Sequence, residues 1–207
     1  MIVAEAMILM GYVTSLFLNK YKLPAAYRTQ KINCNPSEIL NKYKNSDIKY
    51  IILKQYMGRS YITTKPGNHE SLGLLMYVQC TSPLRRYLDL IIQRQVYNKI
   101  NNYEYLSMNC ISSIIDYSKN RQIENNNILK LDKLKYLTLF FNNENKQFYK
   151  IIFVKWINHK KNIALVFFPE YSLEILITLF VSIEIYSNKI YKVKYIMNDS
   201  NPLEFIY

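Results

Sequence analysis

Hydrophobic and polar positions change their period partway along the chain. Residues 2–21, "IVAEAMILMGYVTSLFLNKY", form an apolar run long enough for a helix, which closes at "KLPAAYRTQ", where Pro24 breaks the pattern. Asn35-Pro36-Ser37-Glu38 carries a helix start: a capping Asn, Pro at the first helical position and Glu three residues after the cap. The helix it opens runs to about Lys44, and a second short one spans Ile48 to Met57. Gly58, Pro66-Gly67 and Gly73 then punctuate an irregular stretch.

Ser82 and Pro83 are expected to open the next helix, on which Leu84, Leu88, Ile91, Ile92 and Val96 recur at helical spacing as one buried stripe. A further helix or helix pair is predicted from about Cys110 to Phe141, with "NNENK" (142–146) as a boundary. Beyond it the period shortens. "FYKIIFVKWIN" and "IALVFF" read as two strands joined by "HKKN", and "LEILITLFVSIEIY", "IYKVKYIM" and "LEFIY" add β-branched and aromatic runs. Roughly five strands in so short a span suit a small OB-type barrel. The expected fold class is therefore α+β: a mainly helical region, 1–145, followed by a small OB-type β-barrel, 146–207.

Half of the 207 residues are hydrophobic and 20% are charged, which excludes a disordered tail. The net charge of +12 favours polyanionic partners, nucleic acid first among them. An AT-rich coding sequence would also enrich Lys, Asn, Ile and Tyr, but not arginine. Cys34, Cys80 and Cys110 are odd in number and widely spaced, which suits a reducing compartment and suggests neither a disulfide framework nor a zinc site. Only His69 and His159 are available to complete a Cys/His metal site. The N-terminal run lacks a basic leader, and Glu5 interrupts it. It is therefore read as a buried core helix, with no signal peptide and no membrane partner expected.

"CTSPLRRYLDL" (80–90) carries the most chemistry. Arg85 and Arg86 in a first helical turn each cost about a few tenths of a kcal/mol against the helix dipole, so something must offset them. Two readings stand. Asp89 lies within one turn of both and can pair with either. Alternatively, the positive end of the helix, its free N–H groups, the Thr81 and Ser82 hydroxyls and two guanidinium forks together make a phosphate site.

"HESLGLLMYVQCTSPLRRYLDLIIQR" (69–94) closely resembles the signature of the ribonuclease II/R catalytic domain, the RNB domain, gaplessly over its length. "IVAEAMILMG" and "LPAAYRTQ" resemble two further segments of that domain in the right order, and "YKIIFVKWINHKKNIALVFFPEYSLEI" resembles the terminal barrel of its cyanobacterial branch. The resemblance implies a 3′-to-5′ exoribonuclease that hydrolyses single-stranded RNA to nucleoside 5′-monophosphates. By the same resemblance Arg85 or Arg86, or both, hold the scissile phosphate and stabilise charge developing in the transition state, and Glu5 lies close to the 3′-terminal nucleotide. Arg28 and His69 match as pocket-lining positions, Tyr77 and Tyr87 fall at motif positions that imply either packing or ribose contact, and Thr81 and Ser82 stand with them as substrate-binding candidates.

The family uses magnesium held by an aspartate cluster. Asp47, Asp89, Asp116, Asp132 and Asp199 are scattered here, so no complete metal site is expected in this chain. Gln93 and Gly11 also depart from the family's usual His and Asn. The chain is thus expected to correspond to the second half of an RNB domain plus a barrel. Three origins stay open: one piece of a split enzyme whose partner chain carries the other half, a shortened product, or a start codon further upstream. A non-catalytic RNA-binding remnant is the alternative function. On the barrel, Lys155, Trp156, Lys160 and Lys161 are candidates to bind RNA, with Tyr149 and Phe153 as further aromatics. Composition and the cyanobacterial-type barrel point to a plastid stroma, with a bacterial cytoplasm as the alternative.

Overall fold

The structure is a computed structural model and describes residues 2–44, 48–144, 146–181, 189–196 and 203–207. Asp47, Asp199, Ser182–Tyr186 of the third expected strand and Met197 of the fourth lie outside the described residues. Two compact units interleave in sequence: residues 1–34 with 56–125, and 35–55 with 126–207. The expected cut near 145 marks the change from helix to strand, and as a division into domains it is a proposal.

The first unit holds α1 (Ile2–Lys20), a small antiparallel pair β1 (Tyr27–Thr29) and β2 (Tyr61–Thr63), α4 (Tyr87–Ile100) and the N-terminal part of α5 (Met108–Asn143). Its core gathers Leu18, Ala25, Tyr27, Val78, Cys80, Ile91, Ile92 and Ile111. The largely apolar α1 was read as a buried core helix, and this needs correction. Only Gly11, Thr14, Ser15 and Leu18 are buried, while Ile2, Val3, Leu9, Met10 and Val13 face outward. By length and composition alone α1 is also long and apolar enough to cross a membrane, contrary to the reading of the sequence. Its small residues have a packing reason. A methyl group on Gly11 would stand 2.4 Å from the Tyr77 ring and from the Val78 carbonyl, so the helix approaches that segment closely only because the side chain is absent.

Of the second unit, α2 (Pro36–Lys42) begins as expected: Asn35 accepts from the Ser37 amide at 3.1 Å and donates to Glu38 at 3.0 Å. The segment from 110 to 141, expected as a helix or helix pair, belongs to one helix of 36 residues. Strands β3 (Tyr149–Asn158), β4 (Ile163–Phe168), β5 (Leu173–Phe180), β6 (Ile190–Ile196) and β7 (Glu204–Ile206) close a barrel in the order β3-β4-β5-β7-β6. All neighbours are antiparallel except β5 and β7, the strand order of an OB fold, as the alternating pattern predicted. The α+β class holds.

Inward residues Ile151, Phe153, Val166, Ile177, Val193 and Phe205 fill the barrel. Phe141, at the end of α5, seals it with ring centroids 5.1 Å from Tyr149, 5.5 Å from Phe168 and 5.3 Å from Phe205. Beside this plug Tyr171 donates to the Glu144 carboxylate at 2.7 Å, and burial together with that carboxylate pushes the phenol up to about 12. On the outer face Ile152, Val154 and Leu165 pack under Ile48 and, from α3 (Lys49–Tyr56), Ile52.

Phe141→Ala should therefore destabilise the barrel unit by about 3–5 kcal/mol in urea unfolding, because it removes the central ring of the cluster. A loss below about 1 kcal/mol would show that the plug is dispensable.

Candidate functional site

The segment before α4 does not continue the helix, as the sequence suggested it would. Residues 83–85 form a turn, Arg86 is the extended N-cap residue (φ −129°, ψ 108°), and the helix starts at Tyr87. The cause is Asp89. Its carboxylate is 1% exposed and accepts the Ser82 amide at 2.9 Å, Arg86 Nε at 3.0 Å and a second Arg86 nitrogen at 2.9 Å. An acid in the first turn also suits the helix dipole. The Ser82 carbonyl accepts from the Arg85 and Arg86 amides, closing the turn, and Ser82 is disfavoured from helical geometry by the proline after it.

The two arginines therefore divide the two readings between them. Arg86 is the ion-paired one. Arg85 is exposed and makes no ion pair among the described residues. Both line a cleft of about 440 Å³ with Arg28, Gln79, Tyr87 and, from α5, Arg121 and Gln122. Arg28, on β1, is aimed by hydrogen bonds from Nε to Ser60 (3.0 Å) and from its terminal nitrogen to Gln79 (2.6 Å). Burial, and then the positive charge of Arg86, lower its pKa. Arg121 pairs with Glu124 at 2.9 Å on the surface. Four guanidiniums thus meet in a cleft whose own lining contributes a single carboxylate, Asp89, which already holds three donors. The charge and fork geometry of such a cleft are complementary to anions, phosphate above all.

The other expected site residues divide. Tyr77 and His69 are brought together, buried and edge to face at 5.5 Å. Burial and then Arg28 lower the His69 pKa, while burial and then Cys80 raise the Tyr77 phenol. Tyr87 is half-exposed on the cleft rim, and Thr81 and Ser82 are half-buried beside the turn. Glu5 is exposed in the first turn of α1 and makes no ion pair among the described residues. Gln93, in place of the family's histidine, ties α4 to the Cys80 carbonyl at 2.7 Å. Sequence reasoning missed Gln79, Arg121 and Gln122. Gln79 stood inside the quoted signature, whereas nothing local marked the α5 pair.

In the barrel, Tyr149 and Phe153 are core residues, which removes them as stacking candidates. Lys155, Lys160 and Lys161 are exposed, and Trp156 leans on Phe153 and on His159 at 4.8 Å. A pair not anticipated from sequence, Lys150 and Lys192, faces across β3 and β6 at exposed positions. Among the described residues no three His, Cys, Asp or Glu side chains gather as a metal site. The Oδ2 oxygen of Asp89 is taken by its three donors.

His69 sets a pH dependence. Its folded pKa lies below the ordinary value of about 6.5, so as pH falls through that value the unfolded chain takes up the proton first and stability drops. Unfolding followed across pH 5–8 should show this decline, and His69→Gln should lessen it. Equal slopes for both proteins would remove His69 as its source.

The RNB domain model matches residues 1–102. An uncharacterized ribonuclease of Synechocystis is 28% identical over 84% of this chain and 26% of its own length. A chloroplastic/mitochondrial ribonuclease II of Arabidopsis thaliana is 33% identical over 46% of this chain and 12% of its own. Among solved structures, the Dss1 exoribonuclease of Candida glabrata superposes with a TM-score of 0.78 at 18% identity, over 99% of this chain and 28% of that one. RNase R of Mycoplasma genitalium, solved with ribose-methylated single-stranded RNA, gives 0.75 at 15% identity, over 99% of this chain and 40% of that one. The chain thus spans well under half the length of these relatives. With the domain match, the named ribonucleases and the shared fold in agreement, the chain belongs to the ribonuclease II/R family that carries the RNB domain.

Proposed function

We propose that this chain grips the phosphodiester backbone of single-stranded RNA as the arginine-bearing portion of a 3′-to-5′ exoribonuclease releasing nucleoside 5′-monophosphates. The observation that carries this reading is Arg85, exposed and without an ion pair among the described residues, in a cleft shared with the oriented Arg28. An unpaired guanidinium in a cationic cleft has its fork free for phosphate oxygens, and in a hydrolytic site the same charge steadies the developing oxyanion. Arg86 then acts by shaping the turn that presents Arg85. His69, Tyr77, Thr81, Ser82, Tyr87 and Glu5 make up the surrounding pocket on this reading.

On this reading, magnesium held by aspartates in the other half of the domain, on a partner chain or upstream of these residues, would supply the hydrolytic chemistry. Lys155, Trp156, Lys160 and Lys161 of the barrel give the strand a second, less specific contact, as basic grooves beside aromatic rings do for single strands. The proposed location is a plastid stroma or a bacterial cytoplasm, on the strength of the cyanobacterial and chloroplastic relatives.

Arg85→Ala should weaken binding of a labelled single-stranded RNA oligonucleotide by about 1.5–3 kcal/mol, roughly ten- to 150-fold, and flatten its salt dependence, without lowering stability. Wild-type affinity in that variant would refute the phosphate grip. Mixing this chain with an aspartate-bearing RNB half should yield magnesium-dependent release of nucleoside monophosphates. Binding without any release, whichever such half is added, would favour the non-catalytic RNA-binding reading.

A further inference from the structure

The outward face of α1 carries a pattern of its own. Glu5, Leu9, Val13, Leu16 and Lys20 follow one another at steps of three or four residues, so they form one stripe along the helix. Leu9, Val13 and Leu16 are 60%, 53% and 42% exposed, and the exposed Ile2 continues the stripe toward the N-terminus. Its two ends carry opposite charges. Glu5, Lys20 and Lys99 make no ion pair among the described residues. The Lys20 and Lys99 ammonium groups both stand over the Tyr21 ring, at 5.5 Å and 5.3 Å, which gathers two positive charges at the C-terminal end.

We infer that this face is the contact surface for a second copy of the chain, an antiparallel pairing of α1 with α1 about a two-fold axis. A two-fold contact uses the same patch on both partners, so the patch must be its own complement. This one is. The order acid, Leu, Val, Leu, base matches itself when the helix is reversed. Positions 5 and 20 share a midpoint with positions 9 and 16, between Tyr12 and Val13. An axis at that point sets Glu5 of one copy against Lys20 and Lys99 of the other, Leu9 against Leu16, and Val13 beside its own counterpart. Antiparallel helices also place opposite dipole ends side by side. A lipid surface suits the stripe less well, because Glu5 lies in line with the apolar positions and would leave water without a counter-charge. A helix of 19 residues is about 28 Å long and about 10 Å across, so the contact buries roughly 600 Å² over both copies, below the about 1,200 Å² of a stable complex. The dimer is therefore weak, with a dissociation constant of roughly tens of micromolar. It does not depend on the phosphate reading, but in it Glu5 faces the second copy, so dimer and RNA-bound chain compete for that carboxylate.

Sedimentation of the full chain from about 1 to about 200 µM tests this, with circular dichroism to confirm that each variant folds. The wild type should pass from monomer to dimer across that range. Val13→Asp, which puts two carboxylates together at the axis, should stay monomeric throughout. Glu5→Lys should raise the dissociation constant about tenfold, and adding Lys20→Glu should recover most of that loss, because the charges are then exchanged across the contact. A wild type that remains monomeric at the highest concentration overturns the inference. So does a dimer that Val13→Asp leaves unchanged, or that the charge exchange fails to recover. If a monomeric chain instead floats with phosphatidylglycerol vesicles, or binds an aspartate-bearing RNB half that Val13→Asp no longer binds, the face belongs to that partner and the second copy is ruled out. Should Val13→Asp lose its helical signal, the charge exchange decides alone.

Discussion

One carboxylate organises the site. Asp89 is buried at the third position of α4 and collects an amide from Ser82 and two nitrogens of Arg86. A buried acid without such partners would be costly, and breaking a buried pair of this kind typically costs about 3–5 kcal/mol. The same three contacts hold residues 82–86 as a turn instead of a helix. Two arginines adjacent in sequence thereby leave the backbone in different directions of use, Arg86 turned back toward Asp89 and Arg85 left to the cleft. A cationic cleft needs a fixed frame as well as charge. Asp89 supplies the frame by removing one guanidinium from service.

Around that frame, the smallest residues do as much as the largest. Gly11 lets α1 touch the Tyr77–Val78 backbone, which sets Tyr77 beside His69 and, through the Tyr77 carbonyl, fixes the Arg28 amide at 2.8 Å. The barrel is built on the opposite principle. Large rings from α5 and four strands crowd its interior, and its lysines are pushed to the outside, where Lys150 and Lys192 face each other. Like charges directly opposite on neighbouring strands are unfavourable unless an anion lies over them. On the proposed reading, an RNA backbone over these two lysines would offset that repulsion.

The sequence announced what is decided locally. The start of α2 was legible because a capping Asn, a proline and a glutamate act within four residues. The barrel was legible because a change of period needs no knowledge of distant contacts. The start of α4 was misread because its local signals, Ser82 and Pro83, lost to a contact spanning seven residues, from Ser82 to Asp89. The largely apolar α1 gives little directional pattern, so its composition could not say which side the core would take. Arg121, Gln122 and Ser118 were silent for a different reason. On a long polar helix they look like solvent-facing residues, and only the fold places them against β1, β2 and the turn before α4.

The division of labour between the two arginines can be read directly from their Nε–H groups by nuclear magnetic resonance of the arginine-labelled chain. The account predicts that the Arg86 Nε–H exchanges slowly with water and keeps its shift when single-stranded RNA is added, while the Arg85 Nε–H exchanges fast and shifts on binding. If instead RNA moves the Arg86 signal and leaves Arg85 unchanged, Asp89 does not hold Arg86 out of the site and the account is wrong.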